Sequence, residues 1–162
     1  PVLGSSFNGE LTLEAILLSH QPIDHVLIML GTNDLKAKFD RSINDITNAI
    51  VGLAEIAKST PAGRGGWFSD QTPNVVVICP LKIGQKAEDP NWDRFEEWVG
   101  AYEKSILLPD TLKKACNSVG LNMIDGNQLG VSSEFDPIHW NQEIHQRFGL
   151  KMAKAIQAFL LD

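Results

Sequence analysis

Strand-sized apolar runs alternating with amphipathic helical segments predict an α/β protein, with a mainly parallel sheet sandwiched between helical layers. Two runs carry the prediction. Val26-Leu-Ile-Met-Leu30 and Asn74-Val-Val-Val-Ile-Cys79 are apolar on consecutive residues, so each strand is expected to be buried on both faces, as in a helix-covered sheet. Between and after them, apolar residues recur at helical spacing. A chain of 162 residues, 43% of them hydrophobic, is enough for one domain with a substantial core.

The elements follow in order. Leu11, Leu13, Ile16 and Leu17 suggest a first helix ending near His20, and Pro22 closes the connection to the strand at Val26 to Leu30. A polar turn, Gly31-Thr-Asn-Asp34, comes next. Ile43, Ile46, Ile50 and Leu53 then mark a helix running to Lys58, opened by Ser42 and Asp45 in the pattern of a capping box. Thr60-Pro-Ala-Gly-Arg-Gly-Gly66 carries too much Gly and Pro to be regular and leads into the strand at Asn74 to Cys79, rich in β-branched residues. Residues 80–90 read as a loop. Phe95, Trp98, Val99 and Tyr102 mark one amphipathic helix, and a separate one is expected from Thr111 to Ser118, ended by Gly120. Leu121 to Ile124 is a short third strand. After the loop from Asp125 to Trp140, Ile144, Phe148, Met152, Ile156 and Phe159 form one stripe of a final helix. The four tryptophans, Trp67, Trp92, Trp98 and Trp140, are expected in the core or lining a cavity, and His20, His25 and His145 at the surface or in helix packing.

A formal charge of −6 with scattered Lys and Arg argues against nucleic acid as a partner. No apolar run reaches bilayer length, so no membrane partner is expected. Cys79, in a strand, and Cys116, on a helix, make no disulfide framework and fit a reducing, cytoplasmic setting. The chain opens on Pro1 rather than Met, so a removed leader, tag or N-terminal segment is an open alternative.

The chemistry concentrates in two short segments. In open α/β sheets ligands bind beyond the carboxyl ends of the strands, where the Gly31 to Asp34 turn and the Asp136-Pro-Ile-His139 loop both belong. An Asp and a His three positions apart can meet if the turn folds back. The carboxylate then fixes the tautomer of His139 and stabilises its imidazolium, which makes the ring a general base for a nearby hydroxyl. Pro137 restricts Asp136 to extended backbone. Asn33, on a turn opened by Gly31, is placed to aim its amide at a developing oxyanion. Each motif alone is also ordinary turn chemistry; it is their combination that points to catalysis. Asp34, Asp136 and His139 show no zinc-type ligand spacing, so no metal is expected.

The combination resembles the SGNH, or GDSL, hydrolases, serine esterases and acyltransferases on a flavodoxin-like α/β/α fold. Ile28-Met-Leu-Gly-Thr-Asn-Asp34 looks like the family's third block and Asp136-Pro-Ile-His139 like its fifth, with the Pro22-Ile-Asp24 lead-in and the helix after His139 in agreement. The resemblance covers nearly the whole chain and is strongest to the arylesterase and acyltransferase branch. It implies Asn33 as an oxyanion-hole donor, Asp136 and His139 as acid and base of a triad, Thr32 and Ile138 as substrate-binding residues, no cofactor, and a small-molecule ester as substrate. Pro137 departs from the Gly usual at that position. The first block, with the nucleophilic serine, and the second, with an oxyanion-hole glycine, have no counterpart. Gly4-Ser5-Ser6-Phe7 echoes the first, but the twenty-odd residues before Val26 cannot hold the intervening βαβ unit, which takes roughly 30 or more.

The family's strand order would set the missing first strand beside Val26 to Leu30. That run is not charged or interrupted as edge strands usually are, and it reads as a central strand flanked on both sides. The chain is therefore expected to be the C-terminal portion of one SGNH-type domain, completed by its own missing segment, by a complementing N-terminal fragment or by a homo-oligomeric partner. A noncatalytic binding or scaffold domain of the same fold is the alternative. A nucleotide-binding reading fails for want of a Gly-rich phosphate loop.

Overall fold

The structure, a computed structural model, describes residues 8–160 apart from 131, 133 and 134. Strands β1 (His25–Ile28), β2 (Asn74–Cys79) and β3 (Asn122–Asp125) form a parallel sheet in the order β1-β2-β3. Val26 pairs with Val75 and Ile28 with Val77; Val77 pairs in turn with Met123 and Cys79 with Asp125. Successive side chains point to opposite faces, so the register sorts them into two layers. Val75, Val77 and Cys79 of β2, with Val26 and Ile28, pack against helices α1 (Gly9–Ser19), α2 (Ile43–Ser59) and α4 (Ala101–Ser118), through Leu17, Ile46, Ile50, Leu108 and Leu112. Val76, Ile78 and Ile124 face the other way, onto Phe148 and Met152 of α5 (Gln142–Leu160). The three layers are helix, sheet and helix, as the sequence predicts.

Local chemistry sets the helix ends. Asn8 caps α1 by accepting the Glu10 N–H at 3.1 Å. Ser42 and Asp45 form the expected capping box on α2, each accepting the other's backbone N–H, at 3.1 and 2.9 Å. Asn141 accepts the Ile144 N–H at 2.9 Å at the start of α5. At the end of α4, Gly120 takes φ +65° while the Leu121 N–H returns to the Cys116 carbonyl at 2.9 Å, which releases the chain into β3.

Three expectations are corrected. The two helices expected around residues 95 and 111 divide differently: a short helix α3 (Phe95–Trp98) stops at Gly100, φ +76°, and α4 runs unbroken from Ala101 through Pro109. Tyr102 thus belongs to α4, and Ala101, Ser105, Leu108, Leu112 and Cys116 bury one continuous stripe whose packing outweighs the hydrogen bond lost at Pro109. The first strand ends at Ile28 rather than Leu30, because the chain must leave the ladder before the turn at Gly31. Among the described residues that strand lies at an edge, where the sequence sets a missing neighbour beside it, and Leu27, Met29 and Leu30 are 43, 41 and 49% exposed. Trp67 sits on an exposed loop, 78% open to solvent, instead of in the core. Trp98 is fully buried, and Trp140 packs on Phe148 with ring centroids 4.6 Å apart. No helix among the described residues is long and apolar enough to cross a membrane.

Candidate active site

Because all three strands run in one direction, their carboxyl ends open at one edge of the sheet, and the segments that follow them gather there. β1 delivers the turn with Thr32 and Asn33, β2 the loop through Leu81, Ile83 and Gly84, and β3 the long loop that ends at Asp136 to His139. The ends of β1 and β3 flank β2, which sets them about 10 Å apart at ordinary strand spacing. Leu35 and Ile83 are members of the larger core cluster, and Ile138 packs against it, so all three segments root in the same apolar mass.

The turn after β1 is set by packing. Gly31 adopts φ +115°, and a Cβ there would stand 3.1 Å from Ile50 Cδ1, so both backbone conformation and space call for glycine. Thr32 to Leu35 then form one 3-10 turn, with Leu35 1% exposed as its anchor and Asn33 exposed at its rim. Asp34 pairs with Arg41, and Lys104 of α4 donates to the Arg41 carbonyl at 3.0 Å, closing the segment onto α4. Asn33 is thus an exposed residue on a base fixed from below.

The loop before α5 is set by hydrogen bonds. Asp136 Oδ1 accepts the backbone N–H of Ile138 at 2.8 Å and of His139 at 3.0 Å, which folds the turn back. Its Oδ2 lies 2.7 Å from His139 Nδ1. One carboxylate therefore both builds the turn and orients the ring, with Nε2 on the side away from Asp136. Burial works to raise the Asp136 pKa, but the bonds from the His139 backbone and ring and from the Ile138 N–H outweigh it, so the carboxyl sits below its usual value and stays ionised. With 65% of the His139 side chain open to solvent, a substrate can reach the ring. Contacts with the loop after β2 fix the height of the segment: the Gly84 N–H donates to the Pro137 carbonyl at 2.8 Å, and Lys86 Nζ to the Phe135 carbonyl at 2.9 Å. A Cβ on Gly84 would meet Pro137 Cα at 2.9 Å.

All five residues singled out from sequence, Thr32, Asn33, Asp136, Ile138 and His139, follow strand ends at this one edge. Gly4, Ser5, Ser6 and Phe7 lie outside the described residues. Burial pushes the Cys79 thiol up to about 12, which keeps it protonated at neutral pH and unsuited as a nucleophile. A groove of about 780 Å³ between α1 and α2 holds Ser59, whose hydroxyl donates to the Ile56 carbonyl at 3.1 Å. Among the described residues no group of three or more His, Cys, Asp or Glu is arranged to hold a metal ion. His20 and His145 are exposed, the latter against Trp140 with centroids 5.1 Å apart, while His25 is half-buried with Nδ1 unpartnered among the described residues. Gly84, Lys86 and the ion cluster around Glu97 escape sequence reading, because their partners are remote in the chain and no local pattern marks them.

No protein-family model matches the sequence, and no curated protein matches it. Solved structures do. A carbohydrate acetylesterase from Sinorhizobium meliloti superposes with a TM-score of 0.84 at 29% identity, over 96% of this chain and 70% of that one. The native aryl esterase of M. smegmatis gives 0.83 at 25% identity over the same shares. A carbohydrate acetylesterase family member from S. meliloti, 19% identical, gives 0.80 over 94% and 68% and attests the fold alone. The chain thus has the α/β/α fold of these esterases.

Proposed function

We propose that the protein is a serine esterase of the SGNH type, cleaving or transferring the acyl group of short-chain carboxylic esters, and that these residues form its base and oxyanion half. The observation that carries this reading is the Asp136–His139 contact of 2.7 Å at the sheet edge where the Gly31 to Leu35 turn holds Asn33. The likeness to an acetylesterase and an aryl esterase supports it.

In this reading a serine hydroxyl attacks the ester carbonyl and its proton passes to His139 Nε2. The ring, held through Nδ1 by Asp136, becomes an imidazolium that the carboxylate stabilises. The carbonyl oxygen gains negative charge and takes a hydrogen bond from the Asn33 amide. As the tetrahedral intermediate collapses, the proton on Nε2 goes to the departing alkoxide and an acyl-serine remains. Water, or an acceptor alcohol, then repeats the sequence in reverse, giving up its proton to His139. Thr32 and Ile138 line the acyl side. The steps need no cofactor.

The serine is proposed to lie outside these 162 residues, on a turn that follows a strand pairing along the open edge of β1. Support comes from the exposed apolar Leu27, Met29 and Leu30, which a flanking strand and its helix would cover. In the complete protein, cleavage of p-nitrophenyl acetate and labelling by a serine-directed fluorophosphonate are expected, and both should vanish in His139→Ala. Undiminished cleavage in that variant would overturn the assignment.

A further inference from the structure

Beside the Asn33 turn lies a charge cluster that the esterase chemistry above does not use. Glu97 of α3 spends both carboxylate oxygens: Oε1 accepts from Lys36 Nζ at 2.7 Å, and Oε2 from Arg94 Nη2 and Nε at 2.8 and 3.0 Å. The two cations stand over the buried Trp98 ring, Lys36 Nζ 5.0 Å and Arg94 Cζ 5.7 Å from its centroid, and Arg94 also lies 5.9 Å from that of Trp92. Lys36 is the junction between two 3-10 turns, Thr32–Leu35 and Ala37–Phe39. Its own N–H returns to the Asn33 carbonyl at 3.4 Å. Whatever holds the Lys36 side chain therefore also holds the backbone that carries Asn33.

We propose that Glu97 is a positioning residue: by clamping Lys36 and Arg94 across the Trp98 face, it fixes the aim of the Asn33 amide. This rests on the esterase reading for its catalytic consequence, but the mechanical coupling does not.

Most surface ion pairs contribute little, since two long side chains must be ordered in competition with water. Three features set this one apart. The Lys36 side chain is 17% exposed, and the Arg94 contact is two-pronged, which adds directional constraint to attraction. The indole beneath takes up both cations by electrostatic attraction to its face. Lys36 and then Arg94 pull the Glu97 carboxyl down to about 2, so the clamp stays charged at any working pH. Small displacements of an oxyanion donor are costly in rate because its bond must be short at the moment charge develops.

The test uses the complete protein with p-nitrophenyl acetate and the variants Glu97→Gln, Lys36→Met and their combination. Each single change is expected to lower kcat roughly tenfold with KM altered less than about twofold, and the double variant to be no worse than the poorer single one. The second readout needs no turnover: the NMR order parameter of the Asn33 side-chain amide should fall in Glu97→Gln. An unchanged order parameter together with unchanged kcat, or single effects that multiply in the double variant, would overturn the clamp. A wild type that cleaves no ester, with Asn33 loosened by Glu97→Gln, would support the clamp and overturn the esterase reading instead.

Discussion

The two halves of the candidate site are held in place by different physics. The inner side of the turn at Gly31 to Leu35 rests on close packing, a positive-φ glycine pressed on Ile50 and a leucine 1% exposed, and ion pairs at Asp34 and Lys36 fasten only its outer side. The loop at Asp136 to His139 rests on polar contacts, three of them to one carboxylate and one between Gly84 and Pro137. Packing yields a rigid donor whose loss shows first in stability. A hydrogen-bonded loop on a partly open surface gives an oriented base whose loss shows first in activity. The division suits the chemistry proposed, in which the oxyanion donor must stay still while the histidine gains and loses a proton.

The base is where the two regions should differ most. In the complete protein, His139→Ala is expected to lower kcat by about a thousandfold or more, with the melting temperature little changed, since the side chain is exposed. Stopped-flow or spectrophotometric ester cleavage reads it. Next comes the donor: Asn33→Ala should cost about 10²–10³ in kcat, the usual loss for one oxyanion-hole contact, with KM nearly constant. An effect confined to KM would recast Asn33 as a binding residue.

Two glycine variants press a methyl group into one region each. Gly31→Ala puts a side chain at φ +115° and against Ile50, and should destabilise the fold by about 1–3 kcal/mol in urea unfolding. Gly84→Ala instead drives a Cβ toward the Pro137 backbone and should shift the base, lowering kcat/KM about tenfold while costing less stability than Gly31→Ala. Equal stability losses would erase the distinction between the two regions.

Acid gives the smallest effect and the finest resolution. Asp136 and Glu97 both have carboxyls lowered in the folded state, so each contributes stability that is complete above its unfolded value and lost as pH falls through the folded one. For Glu97 that loss runs from the usual value of 4.5 down to about 2; for Asp136 it lies below 3.8. Unfolding monitored from neutral pH to this range should lose a little less stability in Asp136→Asn and Glu97→Gln than in wild type, the turn reporting through Glu97 and the loop through Asp136.

Where structure follows from neighbours in sequence, the chain was legible. The capping box of Ser42 and Asp45, the unbroken apolar run of β2 and the Gly31 and Asp136 turns all declare themselves within a few residues. The continuity of α4 through Pro109 was hidden because burial of its stripe outweighs a local helix breaker. Trp67 reads as a core residue by type, yet its loop leaves it in solvent. Gly84 under Pro137, and Glu97 between Lys36 and Arg94, depend on segments that meet only after the sheet has formed. The edge position of β1 was foreshadowed by what the resemblance leaves without a counterpart, although its composition alone reads as central.

In the proposed mechanism Asn33 and His139 serve one reacting centre. A crystal structure of the complete protein carrying a fluorophosphonate adduct tests it directly. The phosphoryl oxygen is expected within hydrogen-bond distance, about 2.7–3.2 Å, of Asn33 Nδ2, with His139 Nε2 at similar distance from the modified hydroxyl. An adduct out of reach of either group would contradict the claim.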